Sequence, residues 1–188
     1  MTHVVGIGGT LREGSSSERL VRATLDRCVA RGASVQMFDG PFLAQLPHYD
    51  PAAPVRCAAE RELVEAVRAA DALVIASPGY HGGISGLVKN AIDLLEELAR
   101  DARPYFDGRP VGLIVSAAGW QATGVTLTAL RGVVHAMRGW PTPLGVAVNS
   151  VEQRPFDASG SLADAAIATQ IDMLADQLVT PVGALGPA

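Results

Sequence analysis

An α/β domain with a parallel sheet and helices on both faces is what this sequence predicts, and three observations carry that expectation. Short apolar, β-branched runs alternate with amphipathic segments along the chain. Glycine-rich stretches follow the first and third of these runs, at Gly8–Ser17 and Pro78–Gly83. The 188 residues, 48% of them hydrophobic, suffice for one well-buried domain and are short for two.

Residues 3–8 form a first apolar strand. A helix is expected from about Glu18 to Ala30, with Leu20, Val21, Thr24, Leu25 and Cys28 inward and Gly32 closing it. Ser34 to Asp39 reads as a second strand. Gly40 to Pro54 carries four prolines and reads as a long loop, centred on Leu46-Pro47-His48-Tyr49-Asp50-Pro51. Loops of this length are often functional, so it is a candidate lid or wall. Glu60 to Ala70 is an amphipathic helix and Ala72 to Ala76 a third strand, which Ser77-Pro78 is expected to stop abruptly. From Gly86 to about Arg100 the pattern is helical, with Leu87, Val88, Ala91, Leu94, Leu95 and Leu98 on one face. Pro110 to Ser116 is a fourth strand, followed by Ala117-Ala118-Gly119-Trp120-Gln121 and a helix to about Arg138. Leu144 to Val148 is a weaker fifth strand, and Ser161 to Leu178 a final helix. No repeat, low-complexity block or linker divides residues 1–180, and the tail at 181–188 is expected to fray.

Five strands make the flavodoxin-like order 2-1-3-4-5 the natural candidate, a three-layer sandwich. In such sheets ligands bind beyond the carboxyl ends of the strands, where the order reverses between strands one and three. The loops after strands one, three and four converge there.

Composition narrows the chemistry. The net charge of −4 without a basic cluster argues against nucleic acid as the main partner. No run of about twenty apolar residues exists to span a membrane, and the chain enters a strand at Val4 without a signal-peptide pattern. Cys28 and Cys57 form no Cys-x-x-Cys pair, and the four histidines (3, 48, 81 and 135) show no metal-ligand spacing. A cytoplasmic, soluble domain is the expectation.

Gly9-x4-Gly14-Ser15-Ser16 has P-loop spacing, but Ser15 stands where the lysine belongs, so a triphosphate is poorly supported. A dinucleotide fingerprint fails too, because Leu11 replaces the third glycine. What remains suits a terminal monophosphate: Arg12 for charge, hydroxyls from Thr10, Ser15 and Ser17, and the amides of a helix N-terminus. Ser15-x-x-Glu18 is equally a capping box, and the two roles of Ser15 are compatible. Pro78–Gly83 brings exposed backbone and Tyr80 beside that site, as a planar heterocycle requires. Tyr80 also fits as an ordinary core or interface aromatic, and His81 as a structural or solvent-facing histidine. Lys89 and Asn90 fit subunit or loop contacts. In the third loop Ser116 and Gly119 are candidates for a closing wall, and Trp120 is a stacking surface or a dimer contact. No nucleophile–base pair, Gly-x-Ser-x-Gly elbow or carboxylate pair stands in the loops. Such a site suits a cofactor that carries the reaction itself.

These residues resemble the NADPH-dependent FMN reductase family, which includes quinone, chromate and azo-dye reductases. The family's first loop, roughly Gly-Ser-Leu-Arg-x-x-Ser-x-Asn, is similar to Gly9–Ser17 here. Its second, Ser-Pro-Glu-Tyr-Asn-Gly-Ser-Ile-Pro-Gly-x-x-Lys-Asn-Ala-Ile-Asp, resembles Ser77–Asp93, with Gly79, His81, Gly83 and Ser85 as departures. Leu46-Pro47-x-Tyr49 also resembles the family's loop after strand two, and the resemblance spans about residues 3–150. It implies an FMN cofactor, with Thr10, Arg12, Ser15, Ser16 and Ser17 at its phosphate. Pro78, Gly79, Tyr80, His81 and Gly82 would line its ring, Ser116 and Gly119 would close the far side, and Tyr49 and Trp120 would meet substrate. It further implies NADPH or NADH as donor, a small-molecule acceptor (quinone, azo compound, free flavin, metal ion or oxygen), and a homodimer or homotetramer. The departures at 79 and 81 bear on substrate and nicotinamide preference. The expectation is therefore an NAD(P)H oxidoreductase with no catalytic side chain of its own. A flavodoxin-type electron carrier, a supplier of reduced FMN to a monooxygenase, and a binding module without catalysis are the alternatives.

Overall fold

In the computed structural model, which describes residues 1–53 and 55–180, the chain forms a six-stranded sheet between two helical layers. The tail expected to fray lies outside the described residues. Strands β1 (His3–Gly8), β2 (Ser34–Phe38), β3 (Ala72–Tyr80), β5 (Pro110–Ala117) and β6 (Trp140–Asn149) are parallel, in the order β2-β1-β3-β5-β6. The two-residue β4 (Gly83–Ile84) pairs antiparallel with the end of β3. Setting β4 aside, this is the expected flavodoxin-like order.

The sheet is covered on both sides, so its strands read as continuous apolar runs. Successive residues still point to opposite layers. Val5, Ile7, Leu73 and Ile75 pack under α3 (Ala58–Ala69), α4 (Gly86–Leu94) and α5 (Trp120–Ala136). Val4, Val74 and Ala76 pack under α1 (Ser16–Val29) and α6 (Ala165–Val179). On α1, Leu20, Val21, Thr24, Leu25 and Cys28 are all buried, as their spacing predicts.

Several expectations are corrected. Strand three does not stop at Ser77-Pro78; it runs four residues past Ala76, because β4 folds back to pair with it. The helix after Gly86 is shorter, tightening at Leu95–Leu98 into a 3-10 turn. The final helix starts at Ala165 and not at Ser161, because residues 156–162 form a small bridged turn held by the Asp157 carboxylate. Asp164 then caps the helix.

The long loop opens with a one-turn helix, α2 (Gly40–Leu43), capped by Asp39. It is strapped down beyond that. The Asn90 side chain accepts from the Tyr49 amide at 2.8 Å and donates to the Pro47 carbonyl at 2.9 Å. Arg56 stacks over the Tyr49 ring and pairs with Glu97. These bonds give Asn90 its loop contact and hold the loop against α4.

Candidate functional site

The first loop leaves β1 at Gly8 and enters α1 through Ser15, whose Oγ accepts the Glu18 amide at 3.4 Å. Only half of a capping box forms, because the Glu18 carboxylate turns to Arg22 at 3.0 Å. The helix N-terminus thus faces the loop with its own acid already neutralised, which favours an outside anion. The buried hydroxyls of Ser15 and Ser17 lie 3.4 Å apart. Thr10 Oγ1 accepts the Arg12 amide at 3.1 Å and folds a short turn there. The Arg12 side chain is exposed and makes no ion pair among the described residues.

The second loop is a hairpin. His81 and Gly82 carry φ of 53° and 75°, the paired left-handed conformation of a tight two-residue turn between β3 and β4. Ser77, fully buried, locks its base: its hydroxyl accepts the Ser85 amide and donates to the Pro78 carbonyl, both at 2.9 Å. Ser85 in turn caps α4. The backbone of residues 78–81 is thereby held at a fixed angle to the sheet.

The third loop joins β5 to α5 through Gly119. Buried Asn149, the last residue of β6, accepts from the amides of Gly119 and Val151 at 3.1 Å each, tying the loops after β5 and β6 together.

These three loops surround one cavity of about 620 Å³, within the range of cofactor pockets. At one end stand Thr10, Arg12, Ser15, Ser16 and Ser17; along the other lie Pro78, Gly79, Tyr80, His81 and Ser116. Ala117, Ala118, Ala122 and Ser150 complete the lining. Sequence reasoning missed these four, three of which have no polar side chain to mark them. Of the remaining candidates, Gly82 forms the hairpin tip and Gly119 caps α5, neither among the lining residues. Trp120 is not among the lining residues of the cavity. Tyr49 is not brought to this cavity; it lines a separate groove with Lys89, Tyr105 and Met137.

The lining holds one arginine, five serine hydroxyls plus Thr10 around the loops, and no carboxylate, in a chain of net charge −4. Its polar end therefore suits a phosphate, and its small apolar side chains with an exposed hairpin backbone suit a flat ring. Among the described residues, no cluster of His, Cys, Asp or Glu could hold a metal ion, and no helix is long and apolar enough to cross a membrane.

The fold is that of a flavodoxin-like domain, with one cavity where its three loops meet. The chain belongs to the NADPH-dependent FMN reductase family, which matches residues 2–153; it is an FMN-dependent oxidoreductase. It is 32% identical over 164 residues to an NAD(P)H-dependent FMN reductase of Pseudomonas aeruginosa, covering 86% of this chain and 84% of that one. It is also 32% identical over 121 residues to an FMN-dependent NADPH-azoreductase of Staphylococcus aureus, covering 64% of this chain and 61% of that one. Among solved structures, an NADH:FMN oxidoreductase in its apo form superposes with a TM-score of 0.73 at 21% identity, covering 98% of this chain and 94% of that one.

Proposed function

We propose that this chain holds FMN in the cavity between its three loops and passes electrons from NAD(P)H to a small aromatic acceptor, a quinone or an azo compound. The observation that carries this reading is the union, in one cavity, of an anion end and a flat end. The anion end joins Arg12, the serine hydroxyls and the α1 N-terminus; the flat end is made by residues 78–81 and the alanines. When bound, FMN supplies the chemistry of accepting a hydride and passing electrons on.

The protein's own residues bind and orient. Arg12 offers a charged fork to the phosphate, and Thr10, Ser15, Ser16 and Ser17 offer hydroxyl donors, with the helix dipole adding to both. The locked hairpin presents the backbone of Gly79, Tyr80 and His81 at fixed positions, and Ser116 offers a hydroxyl on the far side. Pro78, Ala117, Ala118 and Ala122 exclude water from one face of the slot. Net reduction of a quinone consumes one NAD(P)H and one proton and yields one hydroquinone; full cleavage of an azo bond to two amines consumes two of each. A homodimer or homotetramer in the cytoplasm is the assembly this reading expects, and sedimentation velocity reads it.

The test is a visible spectrum with added FMN, followed by anaerobic mixing with NADPH and then NADH. Rapid bleaching of protein-bound flavin is expected, and the faster donor identifies the preferred nicotinamide. Bound flavin that neither donor bleaches would make the chain an electron carrier. Absence of FMN binding would remove the assignment of Thr10, Arg12 and Ser15.

A further inference from the structure

A second cavity lies along α1. Arg19, Arg22, Ala23, Asp26 and Arg27 stand at i, i+3, i+4, i+7 and i+8, so all five share one helix face. The bridged turn at residues 156–162 closes a space of about 470 Å³ with them, and Phe156 and Leu162 are its apolar wall. This cavity shares no lining residue with the one between the three loops.

Its charges divide into paired and unpaired. Arg22 bridges Glu18 at 3.0 Å and Asp39 at 2.7 Å, and Arg27 meets Asp172 at 3.0 Å. Arg19 and Asp26 make no ion pair among the described residues. The Arg19 guanidinium makes no hydrogen bond there either; it is held by its stack on the Phe156 ring, 3.9 Å from the centroid. Its Nη2 is buried under the turn without a partner, and a Cβ built on Gly160 would stand 3.2 Å from it. Its Nε and Nη1 are neither bonded nor enclosed. A guanidinium ordered before any ligand arrives, with N–H groups left over, gives up little entropy on meeting an anion. Asp26, two helical turns further on, is an acceptor for donors at the other end of the same ligand. A bare ion would leave most of this cavity empty, so the anion has to be carried on an organic body.

We propose that this cavity binds a nucleoside monophosphate unit. Arg19 receives the phosphate, the apolar wall covers the base, and Asp26 accepts from a hydroxyl or amine of the nucleoside. A free nucleotide and the adenylate half of a dinucleotide such as FAD present this same chemistry.

Calorimetric titration with AMP, at saturating FMN so that the first cavity is filled, tests it. One equivalent of AMP should bind, and adenosine, which lacks the phosphate, should bind about tenfold more weakly or less. Arg19→Gln, and Ser161→Glu, which adds a carboxylate to the exposed turn, should each weaken AMP about tenfold or more, with FMN affinity within twofold. Asp26→Ala should also weaken AMP, although it removes a negative charge. In the FMN-free protein, FAD binding tighter than FMN, by a margin that Arg19→Gln erases, identifies the dinucleotide as the source; equal affinities identify the free nucleotide. No heat from AMP, equal binding of AMP and adenosine, or an unchanged affinity in Arg19→Gln or Ser161→Glu would overturn the site. So would a loss of AMP binding in Arg12→Ala, which would place the nucleotide in the flavin cavity, and tighter binding to Asp26→Ala would overturn the acceptor role. All of these readings are independent of whether the protein oxidises NADPH or NADH.

Discussion

Gly79 is where the hairpin and α5 come closest, and its side-chain-free position is a matter of space. A Cβ built there would stand 2.9 Å from the Ala117 Cβ, 2.9 Å from the Thr126 Oγ1 and 3.2 Å from the Ala122 carbonyl oxygen. Carbon atoms in contact sit about 3.5–4.0 Å apart, so Gly79→Ala forces a displacement of roughly 0.6–1 Å against the two nearest neighbours. Neither can swing away: Ala117 is on central β5, and Thr126 is fully buried in α5. Overpacking of this kind costs about 1–3 kcal/mol. Urea unfolding monitored by circular dichroism should show a lower midpoint at an unchanged slope. Ala122 lines the cavity, so lifting α5 should also weaken FMN binding in a fluorescence titration. Pairing the change with Ala117→Gly removes one of the two closest contacts and should restore roughly 0.5 kcal/mol or more, a positive coupling in the double-mutant cycle. The resemblance places Glu at this position, and Gly79→Glu should be worse than alanine. If Gly79→Ala unfolds within 0.5 kcal/mol of the wild type, roughly the error of additivity, the packing argument is wrong.

Arg12→Ala should weaken FMN binding by about 10- to 150-fold, the equivalent of about 1.5–3 kcal/mol for a charged hydrogen bond. Riboflavin, which lacks the phosphate, should bind wild type and variant alike in the same fluorescence titration. His81 occupies the left-handed first position of a two-residue turn, where Asn is preferred before Gly; His81→Asn should raise stability by about 0.5 kcal/mol, measured by urea unfolding. Cys28 is buried, and burial pushes its thiol from 9.0 to about 11, against the opposing pull of Arg31. Between these values the unfolded chain has lost a proton that the native one keeps, so stability falls as pH rises from about 9 to about 11, by at most ~2.7 kcal/mol. Cys28→Ala should flatten that slope. In the native protein at pH 8, a thiol reagent should modify exposed Cys57 and leave Cys28 untouched.

Where pattern is local, the fold was legible. The apolar spacing of α1 and the buried runs of β1, β3 and β5 follow from periodicity and needed no knowledge of partners. The misread stretches are those whose structure is decided by something distant in sequence. Ser77-Pro78-Gly79 reads as a break, but the Ser77 hydroxyl reaches eight residues on to Ser85, and the backbone between them pairs with itself. The stretch Trp140-Pro141-Thr142-Pro143 is left out of the weaker fifth strand, which is expected only from Leu144. In the structure it is the start of β6, admissible because β6 closes the sheet at one edge and its register against β5 shifts between Val111 and Leu113. A proline lacks the amide that a central strand would need, and an edge strand tolerates the loss.

The candidate site divides along the same line. Its anion end was legible because phosphate recognition uses residue types with few other reasons to cluster: an unpaired arginine, hydroxyls, and a helix N-terminus entered through a serine. Its flat end was legible only where glycine and tyrosine marked it. Ala118 and Ala122 contribute by being small, and smallness leaves no trace in one sequence. Asn149 is hidden for another reason, since its work is done on the amides of Gly119 and Val151, across two loops that meet only after the sheet is assembled. The departures at 79 and 81 gain a different meaning from the geometry. They first read as changes in what the ring and the nicotinamide would touch. At 79 the glycine is required by how closely α5 packs on β3, and at 81 the histidine takes the turn position that an asparagine fills more easily. The scaffold therefore accounts for the glycine at 79 before any ligand is considered, whereas at 81 the turn favours the family's asparagine and nothing in its geometry explains the histidine.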